Sequence, residues 1–386
     1  MKVGIVAGEA SGDLLGSLLI EALKEKYPHI EWIGIAGPRM QAAGAQSLYP
    51  MEKLAVRGYV EVLKRFRGIL QIRNGLKNYF LQHRPHLFIG IDAPDFNLGL
   101  EKTLKQAGIP TIHYVSPSIW AWRGERIHKI AQAVNLMLTV FPFEAALYEK
   151  QGIPVVYVGH PLADAIPQKP QREAARQQLK LQADDLYVAL LPGSRQTELD
   201  YHAALFVETA KAFLKVFPQA RFLVPLATRE TRDQFEAARW QLQAQDLPLQ
   251  ILFGHANLAL AAADVALVAS GTATLEAALW KCPHVIAYRM SPTTLALMKR
   301  KAYLPYAGLP NILSGEFIVP EFIQEEATPA NLVQAMGNLI SHKVVRERLS
   351  ARFADLHASL SIDNATRIGN ALAPYLDNVS MAATPA

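Results

Sequence analysis

Short apolar runs alternate with amphipathic segments along almost the whole chain, and this alternation is the feature that most limits the fold. The apolar runs are rich in Val and Ile and lie at residues 2–7, 31–35, 86–91, 110–114, 134–140, 154–158, 187–191, 221–225, 249–253, 265–268 and 284–288. Segments with helical periodicity lie between them. Buried strands that are each followed by a helix are typical of a parallel sheet with helices on both faces. The sequence therefore predicts an α/β protein.

The pattern is interrupted once, by a segment with two prolines and no strand-like run at residues 166–178. We interpret this segment as a linker between two doubly wound, Rossmann-like lobes, residues 1–165 and 179–345. Residues 346–386 are expected to form a C-terminal helix and a small, polar, disordered tail from residue 378. Ligands of such folds bind at the carboxyl ends of the strands, so function is expected in the cleft between the lobes.

Composition excludes several classes of protein. The chain has 386 residues, of which 51% are hydrophobic and 19% are charged, so overall disorder is excluded. The single cysteine, Cys282, excludes an intramolecular disulfide and a cysteine-based zinc site. The apolar runs are too short for a transmembrane helix, and Glu9 and Asp13 interrupt the N-terminal run, which excludes a signal peptide. These features predict a soluble protein of the cytoplasm.

The loop after the first strand, GEASGD (residues 8–13), opens a helix and is rich in small residues. Glycines permit a tight turn close to a ligand, and a helix N-terminus favours anions. The glycine spacing of the dinucleotide fingerprint is absent, which disfavours an NAD-dependent dehydrogenase. The alternative is structural, with Ser11 or Asp13 capping the helix.

Two further loops of the first lobe carry candidate functional side chains. In GIDAPDFN (residues 90–97), Asp92 and Asp95 flank a proline, and one carboxylate is enough to deprotonate an attacking hydroxyl. The alternative is a turn in which Asp95 or Asn97 caps the next helix. In HYVSPSIWAWR (residues 113–123), Trp120 and Trp122 either stack on a sugar or acyl chain or close the edge of the core.

The second lobe has two candidate anion sites, each directly after a strand. LLPGSR (residues 190–195) combines the Gly193–Ser194 turn with the cation of Arg195, which suits a phosphate or diphosphate. The alternative is a capping box of Ser194 with Thr197 and Glu198.

SGTATLEAAL (residues 270–279) is the second of these sites and opens a helix with Ser270, Gly271 and Thr272. Glu276 follows near the first turn, where a carboxylate would repel phosphate but accept hydrogen bonds from ribose hydroxyls. The two sites together indicate a nucleotide-sugar pocket.

These motifs, together with YRMSP (residues 288–292) and GLPNIL (residues 308–313), resemble the lipid-A-disaccharide synthase family in kind and order. Its members are inverting glycosyltransferases of the two-lobed GT-B fold. The resemblance covers about residues 1–326, and HYVSPSIWAWR with DAPDFN is the specific pair. SGTATLEAAL is shared widely among GT-B enzymes. His86 departs from the family pattern, which often has an acid at this position, and we interpret His86 as capping the strand.

The resemblance implies transfer of a diacylglucosamine unit from UDP-2,3-diacylglucosamine to the 6-hydroxyl of 2,3-diacylglucosamine 1-phosphate. It implies that Asp95 is the base, that Arg195 stabilises the diphosphate charge, that Glu276 holds the ribose and that Asn311 lies near the donor. The implied substrate-binding residues are Ser11, Asp92, Gly193, Ser194, Arg195, Ser270, Gly271, Thr272, Glu276 and Asn311. No metal or other cofactor is implied.

Two alternatives stay open at this point. One is another GT-B enzyme, a UDP-sugar 2-epimerase or a peptidoglycan-type N-acetylglucosaminyl transferase. The other is a non-catalytic adaptor that binds a UDP-sugar at a membrane. A nucleic-acid partner is disfavoured, because no binding motif interleaves aromatic residues with the basic run. The oligomeric state is undetermined, and a homodimer is compatible with the sequence.

A basic amphipathic segment predicts contact with an anionic membrane surface. The chain has a net charge of +5, and its basic excess is concentrated between Lys53 and Arg84. Apolar residues recur at three- and four-residue spacing from Tyr59 to Phe80, with Ile72 widening the face and with basic residues beside it. The expected membrane contacts are Leu63, Phe66, Arg67, Ile69 and Leu70. The alternative is an ordinary core helix with a solvated basic face. The expected location is the cytoplasmic face of the inner membrane.

Overall fold

The chain divides into two compact units, each built around one parallel sheet. The computed structural model describes residues 1–54, 59–121, 123–292, 295 and 304–380, with the side chains of residues 59–66 and 378–380 excepted. The first unit comprises Met1–Asp164 and the chain from Leu360 onward, and the second is Ala165–Ser359.

In the first unit, the described residues form a parallel sheet in the order β3-β2-β1-β4-β5-β6-β7. Its strands are β1 (Lys2–Ala7), β2 (Glu31–Ile35), β3 (Gln46–Ser47), β4 (Leu87–Ile91), β5 (Thr111–Tyr114), β6 (Leu136–Thr139) and β7 (Val155–Tyr157). Its helices are α1 (Ala10–Lys24), α2 (Pro38–Ala42), α3 (Tyr59–His83), α4 (Pro94–Gln106), α5 (Ile127–Ala133), α6 (Ala145–Glu149) and α7 (Pro161–Ala165). The central strands β1 and β4 are buried almost throughout, as Val- and Ile-rich strands covered on both faces must be.

The second unit repeats this arrangement, with its sheet in the order β10-β9-β8-β11-β12-β13 over the described residues. Its strands are β8 (Tyr187–Leu191), β9 (Arg221–Leu226), β10 (Leu249–Phe253), β11 (Val265–Ala269), β12 (His284–Tyr288) and β13 (Glu321–Ile323). Its helices are α8 (Arg172–Gln178), α9 (Gln196–Val216), α10 (Arg229–Gln241), α11 (Ala256–Ala262), α12 (Thr272–Leu279), α13 (Leu309–Ser314), α14 (Pro329–Ser341) and α15 (Lys343–Leu360). The prediction of two parallel α/β sheets is confirmed.

The end of the chain returns to the first unit, which the sequence analysis did not predict. Helix α16 (Asn364–Ser380) packs on α1, and its apolar residues Ile368, Leu372 and Leu376 are fully buried. The hydroxyl of Tyr27 donates to Asp377 at 2.7 Å. The predicted C-terminal segment 346–386 is therefore divided between the units. Residues 378–380 are the last turn of a helix rather than part of a disordered tail, and residues 381–386 lie outside the described residues.

The predicted linker is only partly a linker. Its second half is helix α8, which packs in the second unit, where Arg176 is buried and its guanidinium contacts Asp264 at 2.9 Å. An arginine that binds a carboxylate across the unit is part of its packing, so the connection is shorter than the predicted 166–178. At the start of β4, His86 accepts a hydrogen bond from the backbone of Lys2 at 3.1 Å, in agreement with a strand-capping role.

Helix α3 buries more of its apolar face than the membrane hypothesis assumed. Ile72, Leu76 and Phe80 are core residues, so the expectation that Ile72 widens an exposed face is wrong. Ile69 and Leu70 are half-buried, Arg67 is exposed, and the side chains of Leu63 and Phe66 lie outside the described residues. In the part of the chain that the structure describes, no helix has the length and apolar character needed to cross a membrane.

Candidate active site

Both predicted sets of functional loops lie where the strand order of a sheet reverses. In the first unit this point is between β1 and β4, from which the GEASGD and GIDAPDFN loops leave. In the second unit it is between β8 and β11, which carry the LLPGSR and SGTATLEAAL loops. Ligands of doubly wound folds bind beside the carboxyl ends of strands at such points. The topology thus gives each unit a candidate ligand site of its own.

A strained turn joins β4 to α4. Asp92 and Ala93 are both left-handed, with φ of 48° and 44°, which is unusual for residues with a side chain. The amide of Asp92 donates to the carbonyl of Tyr114 at 2.9 Å, which ties the turn to β5. Helix α4 then starts at Pro94, and Asp95 lies in its first turn. The turn therefore places Asp95 at the carboxyl edge of the sheet.

The buried side chain of Asn97 holds this turn through hydrogen bonds to backbone carbonyls. Its side chain is fully buried, and its amide Nδ2 donates to the carbonyl oxygens of Asp92 at 2.8 Å, Ile91 at 3.3 Å and Val6 at 3.4 Å. The amide thereby joins β1 to β4 at the point where the strand order reverses. The alternative in which Asp95 or Asn97 caps α4 is wrong, because no side chain caps that helix.

Asp95 is an exposed carboxylate that is paired with a mostly buried arginine. Its side chain is 81% exposed, and its Oδ1 accepts a hydrogen bond from Nη2 of Arg126 at 2.6 Å. The side chain of Arg126 is only 12% exposed. Sequence reasoning did not identify Arg126, although it lies three residues after the HYVSPSIWAWR motif.

A buried hydrogen-bonded pair of side chains also ties α4 to the sheet. Nδ1 of His113 on β5 lies 2.7 Å from Oε1 of Glu101 on α4, and neither side chain is exposed. Burial raises the pKa of the Glu101 carboxyl, and the neighbouring imidazole opposes that shift. The helix that carries Asp95 is therefore fixed at its start and along its length.

In the GEASGD loop, the Asp13 carboxylate has a structural role, but it does not cap the helix in which it lies. Asp13 is buried, and its two oxygens accept the backbone amides of Arg39 and Met40, each at 3.0 Å. It therefore caps α2, and the expectation that Ser11 or Asp13 caps α1 is wrong. Ser11 lies half-buried in the first turn of α1, at the carboxyl edge of the sheet.

The aromatic loop after β5 is held by the buried carboxylate of Glu144. Nε1 of Trp120 donates to Glu144 at 2.9 Å, and the Glu144 carboxylate also accepts the amides of Val140 and Phe141. The ring of Trp120 packs edge-on against Phe143, with ring centroids 5.4 Å apart. This packing favours the edge-closing interpretation for Trp120, and Trp122 lies outside the described residues.

In the second unit, Glu198 organises the LLPGSR loop. Its carboxylate accepts the amides of Ser194 at 2.8 Å and Arg195 at 3.3 Å, and it contacts Nη1 of Arg195 at 2.7 Å. Gly193 has a φ of 132°, and a side chain there would collide with Glu198. The predicted capping box is thus corrected, because Arg195 rather than Ser194 is the N-cap residue.

The SGTATLEAAL loop presents the N-terminus of α12. Gly271 is the N-cap with a φ of 140°, and Thr272 is the exposed first residue of the helix. Oγ of Ser270 donates to the carbonyl of Ala307 at 2.9 Å, which fixes the loop. Glu276 is half-buried one turn into the helix. Free amides at a helix start bind anions, so this loop and the Arg195 cation provide two elements of a diphosphate site.

The side chain of Asn311 hydrogen-bonds to other parts of the protein and not to a donor substrate. It is fully buried, its Nδ2 donates to Val319 at 2.8 Å and to Glu321 at 2.7 Å, and its Oδ1 accepts the amides of Ile318 and Val319. An asparagine side chain has two donor hydrogens and two acceptor lone pairs, so these four bonds use all of them. Its assignment as a direct substrate ligand is therefore corrected.

Glu321, which the sequence analysis did not select, completes this network. Its carboxylate accepts the amides of Ala307 and Gly308, both at 2.8 Å, besides the Asn311 amide. These bonds hold the loop that meets Ser270. Across the described residues, no cluster of three or more His, Cys, Asp or Glu side chains is arranged to hold a metal ion.

Comparison with known proteins decides the family. Residues 3–368 match the model of the lipid-A-disaccharide synthetase family. The chain belongs to the lipid-A-disaccharide synthase family. It is 54% identical to the lipid-A-disaccharide synthase of Chromobacterium violaceum, over 96% of each chain. It is 47% identical to that of Pseudomonas fluorescens, over 96% of this chain and 97% of the relative.

Solved structures with little sequence similarity share the GT-B fold. The UDP-GlcNAc 2-epimerase of Neisseria meningitidis bound to UDP-GlcNAc has a TM-score of 0.64 at 12% identity and covers 99% of this chain and 100% of its own. The S. aureus MnaA–UDP co-structure has a TM-score of 0.65 at 12% identity, over 98% of both chains. The lipid-A-disaccharide synthase assignment rests on sequence relatives, and these two solved structures share the fold alone. The chain is thus a glycosyltransferase, and the predicted family and fold class are confirmed.

Glu144 predicts a pH dependence of stability in this member of the lipid-A-disaccharide synthase family. Burial raises the pKa of the Glu144 carboxyl from 4.5 to about 7. The stability associated with its protonated form is complete below pH 4.5 and is lost as the pH rises through 7. We expect the melting temperature of the wild type, relative to that of Glu144→Gln, to fall between about pH 5 and about pH 8.

Differential scanning calorimetry of both proteins across this range measures the effect. The buried histidines are common to both proteins, so their titration cancels in the difference. A difference that does not change with pH would contradict the raised pKa.

Proposed function

We propose that this enzyme forms the β-1,6-linked lipid A disaccharide 1-phosphate and UDP. The donor is UDP-2,3-diacylglucosamine and the acceptor is 2,3-diacylglucosamine 1-phosphate. The acceptor 6-hydroxyl loses its proton, its oxygen bonds to C1 of the donor sugar, and the bond from C1 to the diphosphate oxygen breaks with inversion. The observation that carries this proposal is the exposed Asp95 carboxylate at the carboxyl edge of the first sheet, in a chain whose full-length relatives are lipid-A-disaccharide synthases.

Asp95 is the proposed general base. A general base must be open to its substrate and held in position. Its 81% exposure meets the first requirement, and the contact with Arg126 meets the second. Asp92 is proposed to support the strained turn that precedes Asp95. Ser11, in the first turn of α1, is proposed to line the substrate site beside this turn.

The diphosphate leaving group is proposed to bind in the second unit. The amides at the start of α12, beside Gly271 and Thr272, are the proposed donors. Ser270 and Ser194, which are bonded to Ala307 and Glu198, are proposed to hold the two loops against the diphosphate together with Gly193. The Arg195 guanidinium neutralises the charge that grows on the diphosphate as the sugar leaves. In this proposal arginine and a helix terminus act where other transferases use a metal ion, so no metal or other cofactor is needed.

The ribose and the donor sugar require contacts of a different kind. Glu276, one turn into α12, is proposed to accept hydrogen bonds from the ribose hydroxyls. Asn311 is proposed to act through the backbone that it anchors rather than by touching the donor.

The acyl chains of both substrates favour a position at a membrane. We propose that the enzyme is cytoplasmic and attaches peripherally to the anionic cytoplasmic face of the inner membrane through the first part of α3. Exposed Arg67 and half-buried Ile69 and Leu70 support this proposal, and Leu63 and Phe66 share their face by sequence. A homodimer stays a prediction from the sequence.

The first experiment tests the base. Asp95→Asn is expected to lower turnover by at least ~100-fold while UDP still binds, because an amide cannot take up the proton. Mass spectrometry of the product formed from both acylated substrates measures turnover. Glu149→Gln, which neutralises an exposed carboxylate in the same unit, is the control and should retain activity. Near-normal turnover of Asp95→Asn would exclude this base.

The second experiment tests the diphosphate and ribose contacts. Arg195→Ala and Glu276→Ala are each expected to weaken UDP binding by roughly 1.5–3 kcal/mol, as for the loss of a charge-assisted hydrogen bond. The Arg195 change should also lower turnover, since the leaving-group charge grows in the transition state. Isothermal titration calorimetry with UDP measures the affinity. The control is Arg229→Ala, whose side chain is 87% exposed. Unchanged affinity in both variants would put the donor site elsewhere.

The third experiment tests the membrane contact. Replacement of Phe66, Ile69 and Leu70 by Ser should reduce binding to phosphatidylglycerol vesicles and leave the protein folded, because among the described side chains of α3, from residue 67 onward, the buried ones start at Ile72. Co-sedimentation with vesicles measures binding, and circular dichroism reports folding. High salt should weaken attachment of the wild type. Undiminished binding by the folded variant would exclude this segment, and unfolding would favour the core interpretation.

A further inference from the structure

The contact between Asp95 and Arg126 joins two elements that are distant in sequence. The residues are 31 positions apart, and Nη2 of the arginine lies 2.6 Å from Oδ1 of the aspartate. Charge-assisted hydrogen bonds of this length are among the strongest that side chains form. The bond occupies only one of the two carboxylate oxygens, and the side chain of Asp95 is otherwise open to solvent.

Arg126 is itself held in place. It ends the short 3-10 helix Gly124–Arg126, directly before α5, and its backbone amide donates to the carbonyl of Arg123 at 3.0 Å. Arg123 is left-handed, with a φ of 55°, so the chain turns sharply just before the arginine. The backbone that carries the Arg126 side chain is therefore constrained.

Helices α4 and α5 are also joined along their length. Nζ of Lys102 on α4 donates to Oε1 of Gln132 on α5 at 2.7 Å, and Nζ of Lys105 donates to the carbonyl of Ala131 at 3.3 Å. Ile130 of α5 is fully buried in the core beneath α4. These contacts fix the distance between the start of α4, where Asp95 lies, and the start of α5, where Arg126 lies.

We propose that Arg126 is the positioning residue of the catalytic carboxylate. Its guanidinium holds Oδ1 and leaves Oδ2 as the oxygen that takes the acceptor proton, with the carboxylate in one rotamer. This inference rests on the proposed role of Asp95 as the base. A carboxylate with this exposure would otherwise sample several rotamers, and displacement of a catalytic group by about 1 Å can cost on the order of 100-fold in rate.

The exposure of Asp95 distinguishes the positioning role of Arg126 from a structural one. Ion pairs with an exposed partner contribute little to folding stability. Loss of the Arg126 guanidinium should therefore affect turnover far more than melting temperature, because the carboxylate remains but is no longer oriented.

The test compares Arg126→Ala, Arg126→Gln and Arg126→Lys with Lys129→Ala, which removes an exposed cation three positions away. We expect Arg126→Ala to lower kcat by about 10- to 100-fold with unchanged donor KM and unchanged UDP affinity. Arg126→Gln should behave similarly, Arg126→Lys should recover part of kcat, and Lys129→Ala should match the wild type. Added guanidinium should partly restore Arg126→Ala.

A double variant decides between positioning and an independent effect. If Arg126 acts through Asp95, Arg126→Ala should not lower the residual turnover of Asp95→Asn further. Normal kcat in both folded Arg126→Ala and Arg126→Gln, an effect on acceptor KM alone, or multiplicative losses in the double variant would each overturn the inference. A wild type without product, or an active Asp95→Asn, would instead overturn the proposed function.

Discussion

Parallel hydrogen bonding within each sheet is the constraint on which the rest of the molecule depends. Parallel strands all end at the same edge, so the loops that follow them collect there whatever their distance in sequence. The order of strands reverses once in each unit, between β1 and β4 and between β8 and β11. The loops on either side of that reversal diverge and leave room for a ligand. Four of the family motifs, GEASGD, GIDAPDFN, LLPGSR and SGTATLEAAL, occupy these loops.

Opposite charges then fix the side chains that the topology brings to this edge. Asp95 is bound by Arg126, and Arg195 is bound by Glu198. In each pair one member is proposed to meet the substrate and the other orients it. Asp95 and Arg195 therefore keep their geometry without being buried, which leaves them accessible to ligands.

Of the strands in the described residues, the sequence predicted all except β3 and β13, and it predicted the loops of the candidate site, because hydrophobic period and loop position are local signals. It could not predict contacts that arise only when distant elements meet. Arg126 lies on a different loop from Asp95, and nothing in its surroundings in sequence marks a partner. Asp13 has the pattern of a cap for α1, yet the folded chain brings the start of α2 closer. Ile72 continues a helical stripe, and only packing shows where that stripe enters the core.

The position of α16 has a consequence for how the chain folds during synthesis. Asn364 contacts Asp164 from 200 positions further along the chain, and the three buried residues of α16 complete the packing against α1. The whole second unit is made by the ribosome before this helix appears, and domains tend to fold as they emerge. Until then, α1 lacks its covering helix and exposes apolar surface. The unit that begins the chain is therefore the one whose core closes last.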